Sequence, residues 1–168
     1  IVDRVTVMSV TTTIDNARAQ AVRLVTNFLV AYPQTDRRRR QTLEFYLKNL
    51  DYAAVPGRQA VLAVLDGAVT RLPAAELDRG AEELFLALVA RLHNEDEHAV
   101  KDAIARVLRD LFRALDDRRA AALLALTHAW LRNSADRDMQ RLALQLCTIV
   151  ADCGGPAFWR KFEPALPL

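Results

Sequence analysis

The side chains of this chain that could do chemistry are few, and they do not converge on a reaction. His93 and His98 flank Asn94-Glu95-Asp96-Glu97. A zinc-protease helix needs its two imidazoles four residues apart on one helix face; here they are five apart, around what reads as a polar turn with capping carboxylates. His128 lies beside Trp130 on an apolar stripe and reads as a packed histidine. Ser134 reads as a helix cap, because no histidine and acid stand around it in a pattern that would activate a nucleophile. Gly57 and Gly67 stand alone, so no glycine loop cradles phosphate. Carboxylates are plentiful, but they punctuate helix starts, where the macrodipole accounts for them. Cys147 and Cys153, near one end, form no disulfide framework and read as buried thiols in a reducing compartment, cytosol or nucleus. The expectation is therefore no enzyme: no catalytic residue, no metal, no cofactor and no small-molecule substrate.

The one concentrated charge is Arg37-Arg38-Arg39-Arg40. Four consecutive arginines on a helix point all round it, so they cannot all face one partner. One reading is a solvated helix start with the aliphatic stems packed down. The other is contact with RNA phosphates or with an acidic protein, which would make affinity salt-dependent. Positive charge near a helix N-terminus is unfavourable, which points to something that compensates it. Trp159, Arg160 and Lys161 admit a similar pair of readings, stacking on a base or covering the end of a helical stack.

What must position these residues is a series of helices. Apolar positions step by three and four along seven segments, as one face of an α-helix requires. The stripes run through Ala17, Ala21, Leu24, Val25, Phe28 and Leu29; Leu43, Tyr46, Leu47 and Leu50; Val61, Leu62, Leu65, Val69 and Leu72; and Leu84, Phe85, Leu88, Val89 and Leu92. They continue through Val100 to Leu115, Leu123 to Leu131, and Met139 to Val150. Asp15, Thr35 or Asp36, Asp116-Asp117, and Ser134 or Asp136 are the expected caps. Pro33 and Pro73 stop two helices, Pro56 suits a first turn, and Gly154-Gly155 breaks the seventh helix. Phe158, Trp159 and Phe162 predict a partial last helix. Val2 to Val10 is the only ambiguous piece, and no segment alternates with period two.

The helices repeat. Pro33 and Pro73, and Arg18 and Arg58, are each forty residues apart, and Lys101 and Gln140 hold the place of Arg18 and Arg58 further on. A period near forty with two helices per period is the mark of a HEAT-type repeat. The predicted fold is all-α, a HEAT-repeat-type α-solenoid of antiparallel helix pairs. Its expected units are 1–33, 34–73, 74–115 and 116–155, with a partial unit 156–168. Each hairpin would bury its face by stacking on neighbours.

Composition bounds the function. Of 168 residues, 52% are hydrophobic and 26% charged, with a net charge of +2. There is ample material for a core. The charge is too small for a whole-domain nucleic-acid footprint, though a local basic patch fits. No apolar run approaches the ~20 residues that span a bilayer, so no membrane partner is expected. Asp3 and Arg4 interrupt the opening apolar stretch, which is not a signal peptide. The chain begins without methionine and reads as a piece of a much larger solenoid.

Several blocks occur in an order that ordinary HEAT repeats would not reproduce. They are Ala31-Tyr32-Pro33, Leu43-Glu44-Phe45, Leu50-Asp51-Tyr52, Gly57-Arg58, Leu84 to Val89, Asn94-Glu95-Asp96, Arg141 to Cys147, and Pro164 to Pro167. In their collinearity over about residues 25 to 167 they resemble the U3 small nucleolar RNA-associated protein 20 family, also called the down-regulated-in-metastasis family. The resemblance implies a stretch of a giant helical-repeat protein of the nucleolus, part of the small-subunit processome that assembles around the precursor of the small ribosomal RNA. It implies a scaffold whose partners are other pre-ribosomal assembly factors and precursor ribosomal or small nucleolar RNA, in the nucleus and nucleolus. It brings no catalytic residues. The arginine run and the alanine-rich Arg118 to Ala125 depart from the family pattern. The rival expectation in another class is a HEAT-repeat transport receptor or adaptor that binds peptides or proteins; an enzyme with an unrecognised site is a third.

Overall fold

A computed structural model of the chain describes residues 1–133 and 135–153. The described residues form eight α-helices and no strand: α1 (Val2–Thr11), α2 (Asp15–Ala31), α3 (Asp36–Lys48), α4 (Val55–Arg71), α5 (Ala74–His93), α6 (His98–Ala114), α7 (Asp117–Arg132) and α8 (Arg137–Ala151). The fold is all-α, of the HEAT-repeat solenoid type. Ser134, Gly154-Gly155, the partial helix expected at Phe158 to Phe162, and Trp159, Arg160 and Lys161 lie outside the described residues.

The eighth helix is α1, left ambiguous in the sequence. The reason is chemical. The buried residues of α1 are Thr6, Ser9 and Val10, so two of three are polar and no apolar stripe shows. Their hydroxyls are satisfied locally: Thr6 Oγ1 donates to the Val2 carbonyl at 3.0 Å and Ser9 Oγ to that of Thr6 at 2.7 Å. Since the Ser9 proton is spent there, the Tyr46 hydroxyl donates to Ser9 Oγ, at 2.8 Å. Burial pushes the Tyr46 phenol up to about 12, and the hydrogen bonds of Ser9 and Thr6 offset only part of that.

Helix ends follow the sequence closely. Thr35, Asp116 and Asp136 accept the amides of Arg38, Arg119 and Met139, each satisfying an orphan donor of a first turn. Asp15 does not cap: Ile14 holds the N-cap position, and the Asp15 carboxylate pairs with Arg18 at 2.7 Å. Pro56 sits in the first turn of α4. Extended Tyr32 and Leu72 end α2 and α4 just before Pro33 and Pro73.

The chain forms two compact units. The first comprises Ile1–Leu72 and Ala87–Val107. In it α1 packs on α2 and α4, which also pack on each other, and α3 packs on α4. Its core includes Val25, Leu29, Tyr46, Val61, Leu65, Leu88 and Ile104, all essentially without exposure. Leu24, expected inward, is 60% exposed; Thr26 takes its place on the buried face of α2. The second unit comprises Pro73–Leu86 and the described residues from Leu108 on. There α7 packs on α8. Phe85 is the hub: it meets the Phe112 ring edge-on and stacks on Trp130 at an interplanar angle of 7°, both centroids 6.0 Å away. Arg113 reaches the carbonyls just past the end of α8, donating to Cys153 at 3.0 Å and to the C-cap Asp152 at 3.3 Å, the contact a helix C-terminus favours.

The forty-residue spacing has a physical cause. Arg18 folds back onto the Thr12 carbonyl at 2.7 Å, and Arg58 onto those of Tyr52 and Ala53 at 2.9 and 3.0 Å. Each guanidinium thus pins the turn that leads into its own helix. Gln140 does a related job in α8, donating to the Leu131 carbonyl at 3.0 Å.

Two glycines test this packing with opposite signs. A Cβ on Gly57 would press into the Tyr52 ring and lie 2.9 Å from the Val10 carbonyl, whereas one on Gly80 would meet nothing within 4 Å. Gly57→Ala should therefore destabilise by about 1–3 kcal/mol, through overpacking. Gly80→Ala, inside α5, should stabilise by about 0.5–1 kcal/mol, through helix propensity. Thermal melts of the two variants check both signs.

Candidate functional site

The arginine run opens α3, and the fold divides it. Arg38 and Arg39 turn inward: Arg38 pairs with Asp3 of α1, and Arg39 Nε donates to the Leu29 carbonyl near the end of α2, at 3.3 Å. Their stems are half-buried, while Arg37 and Arg40 are exposed. Half of the run thus ties α3 to the helices before it, and half offers its charge outward. The unfavourable charge at the helix start is compensated in part from within, by Asp36 in the first turn and by Asp3.

The residues screened for chemistry fall apart in space. His93 ends α5, His98 begins α6, and both are exposed. Among the described residues no group of three His, Cys, Asp or Glu side chains stands together to hold a metal. His128 is half-buried on α7. Cys153 is buried and free, its thiol pushed up to about 11 by burial, which keeps it protonated and unreactive. Cys147 departs from the expectation of a buried thiol: it is only half-buried, and burial raises its thiol too. No helix among the described residues is long and apolar enough to cross a membrane.

The strongest electrostatic feature was read from the sequence only as a polar turn. Glu95 is 2% exposed. Its Oε1 accepts the amides of Asp96 and Glu97 and Nη2 of Arg58, each at 3.0 Å. Its Oε2 accepts Nε of Arg58 at 2.8 Å and Nε of Arg91 at 3.0 Å. Burial alone would raise the Glu95 carboxyl. The Glu97 amide, Arg58 and Arg91 together outweigh it and hold the carboxyl at about 2. Arg58, itself 8% exposed, thereby links the turn before α4 to the turn before α6. The available signal was the pairing of Gly57-Arg58 with one of three adjacent acids thirty-seven residues on, which no periodicity marks. This network is satisfied throughout and reads as structural.

Comparison with known proteins adds the following. No family model matches the chain. It is 27% identical over 156 residues to U3 small nucleolar RNA-associated protein 20 of Schizosaccharomyces pombe, a match that covers 92% of this chain. It is 25% identical over 118 residues to the protein of the same name in Saccharomyces cerevisiae, covering 70% of this chain. The chain spans only 6% and 5% of the lengths of those two relatives. Among solved structures, the crystal structure of an engineered protein matches 98% of this chain and 67% of its own, with a TM-score of 0.52 at 15% identity, a likeness of fold alone. Over most of its length the chain is similar to one segment of U3 small nucleolar RNA-associated protein 20.

Proposed function

We propose that this chain is a non-catalytic scaffold segment of a ribosome-assembly factor. It acts in the small-subunit processome, in the nucleolus, where it holds neighbouring assembly factors and precursor ribosomal or small nucleolar RNA. The observation that carries the reading is the similarity to U3 small nucleolar RNA-associated protein 20, which runs over 92% of the chain rather than through one repeat. A relative associated by name with an RNA does not favour the rival, a transport receptor or adaptor for peptides.

Within this reading the arginine run meets RNA phosphates, and we propose different parts for its members. Arg37 and Arg40 are exposed and make the contact, while Arg38 and Arg39 hold α3 in place. Arg37→Gln with Arg40→Gln should leave stability within about 0.5 kcal/mol, as for surface changes without special contacts. The same pair should weaken RNA binding across sequences and make its salt dependence shallower by about two counterions. Arg38→Gln with Arg39→Gln should instead cost stability, about 0–1 kcal/mol for a pair as exposed as Arg38 with Asp3. In cells, crosslinking and sedimentation decide the partner. If the four-glutamine variant sediments with pre-ribosomes as fully as the parent and crosslinks to the same RNA and proteins, the run is a solvated helix face. If only its protein crosslinks disappear, the partner is an acidic protein and the RNA reading falls.

A further inference from the structure

The geometry points to a groove between α1 and α3 that receives one unpaired base of a single-stranded RNA whose phosphates run along Arg37 and Arg40. This rests on the phosphate reading above and extends it from backbone contact to base contact. The groove has a volume of about 220 Å³, lined by Thr6 and Val7 of α1 and by Arg38, Gln41, Thr42 and Phe45 of α3, with Asp3 at its side. A cavity below the about 300–1,000 Å³ of small-molecule sites suits a single planar ring rather than a whole cofactor.

Its lining combines apolar surface with one amide that can both donate and accept. Phe45 is half-buried, with its ring set edge-on to the fully buried Tyr46, centroids 5.3 Å apart and planes at 89°. It is one of the residues that line the groove. Val7, 46% exposed, supplies a second apolar surface. The hydroxyl protons are already committed: Thr6 donates to the Val2 carbonyl and Thr42 to that of Arg38, at 3.0 and 3.1 Å, which leaves both oxygens as acceptors only. The charges of Asp3 and Arg38 are committed to each other. Gln41, exposed and without a hydrogen bond among the described residues, is left to read a base edge with its amide, which can both donate and accept.

The charge outside the groove is complementary to a nucleic-acid backbone. Arg37 stands one helical turn before Gln41, on the same side of α3, and Arg40 adjoins it. A ribose-phosphate chain that follows these two arginines passes the mouth of the groove. Glu44, one turn past Arg40, ends the basic flank, so the contact is a short one. An aromatic ring beside a basic track is the arrangement by which single strands are bound without strict sequence readout.

The test uses the whole 168-residue chain and two labelled probes of about twelve nucleotides, oligouridylate and an abasic ribose-phosphate oligomer of the same length. Phe45→Leu should weaken oligouridylate binding about fivefold or more and leave the abasic probe unchanged, and Phe45→Trp should retain binding. Gln41→Ala should weaken oligouridylate alone. Arg37→Gln with Arg40→Gln should weaken both probes. A 4-thiouridine oligomer should crosslink to the α3 peptide holding Gln41 and Phe45. If the arginine pair weakens both probes but Phe45→Leu and Gln41→Ala change neither, the groove takes no base and the phosphate reading survives. If the parent binds neither probe, or the arginine pair changes nothing, both readings fall. Equal parental affinity for the two probes, or a competing glutamate-rich peptide that is as tightly bound, also overturns base capture. Should Phe45→Leu prove unfolded by circular dichroism, the Gln41→Ala affinities and the mapped crosslink decide, and a crosslink elsewhere overturns the proposal.

Discussion

Glu95→Ala should lower the stability of the chain by about 3–5 kcal/mol, the cost of removing one partner from a buried ion pair. Against the about 5–15 kcal/mol that holds a domain folded, this is a large fraction. Three losses combine. Arg58, 8% exposed, keeps its charge and loses its bidentate partner. The amides of Asp96 and Glu97 lose their acceptor at the start of α6. The turn before α4, which Arg58 also holds through Tyr52 and Ala53, is no longer tied to the turn before α6. Arg91, with a side chain 16% exposed, is the least affected, since it can turn to water. Glu95→Gln should cost less, because an amide oxygen still accepts from the backbone. Adding Arg58→Met to Glu95→Gln should recover part of the loss, since the stranded charge is then gone. Chemical denaturation of the four proteins measures these differences, and an unchanged midpoint for Glu95→Ala would show that the network is not closed in solution.

The same carboxylate sets a pH dependence with a definite sign. Its folded value, about 2, lies below the ordinary 4.5, so folding favours the ionised form. The stability it contributes is complete above about pH 4.5 and drains away as pH falls through about 2, as the carboxylate takes up its proton. Glu95→Gln, which cannot titrate, should flatten the acid limb of the stability curve in that window. An acid limb equally steep in parent and variant would assign acid sensitivity to other carboxylates.

Leu108→Asp should be comparably severe. Leu108 has no exposure and lies on the buried stripe of α6 with Leu111, Phe112 and Leu115. Leu108 belongs to the second unit. Leucine's burial, worth about 1.5–3 kcal/mol, is lost. An ionised carboxylate has no partner there, so the residue either protonates or forces the helix open. The near-ultraviolet signal of Trp130, which stacks on Phe85 in the same unit, should report the opening as it happens. A melt within a degree of the parent would place the core on another face of α6.

How much of this was legible in the sequence depended on the kind of force involved. Where burial is apolar and periodic, sequence alone was enough. The stripes Val61 to Leu72, Leu84 to Leu92 and Val100 to Leu115 are buried as the three-and-four spacing requires, because an apolar face on a helix has only the core to go to. Prolines and capping side chains act within four residues, so Thr35, Asp116, Asp136, Pro33 and Pro73 could be assigned without knowing any neighbour. The Arg18 and Arg58 spacing was visible for the same reason, since each folds back on its own turn.

Tertiary structure alone decided the rest. It buried α1 through Thr6 and Ser9, whose hydroxyls mimic a polar surface in sequence and are quieted by local carbonyls and by Tyr46 in space. It turned Leu24 outward, because the side of α2 that meets its neighbours is the one carrying Thr26. It split a uniform arginine run into an anchoring half and an outward half, because only Arg38 and Arg39 face Asp3 and the end of α2. And it joined Arg58 to Glu95, charges thirty-seven residues apart, whose attraction matters only once both have left water.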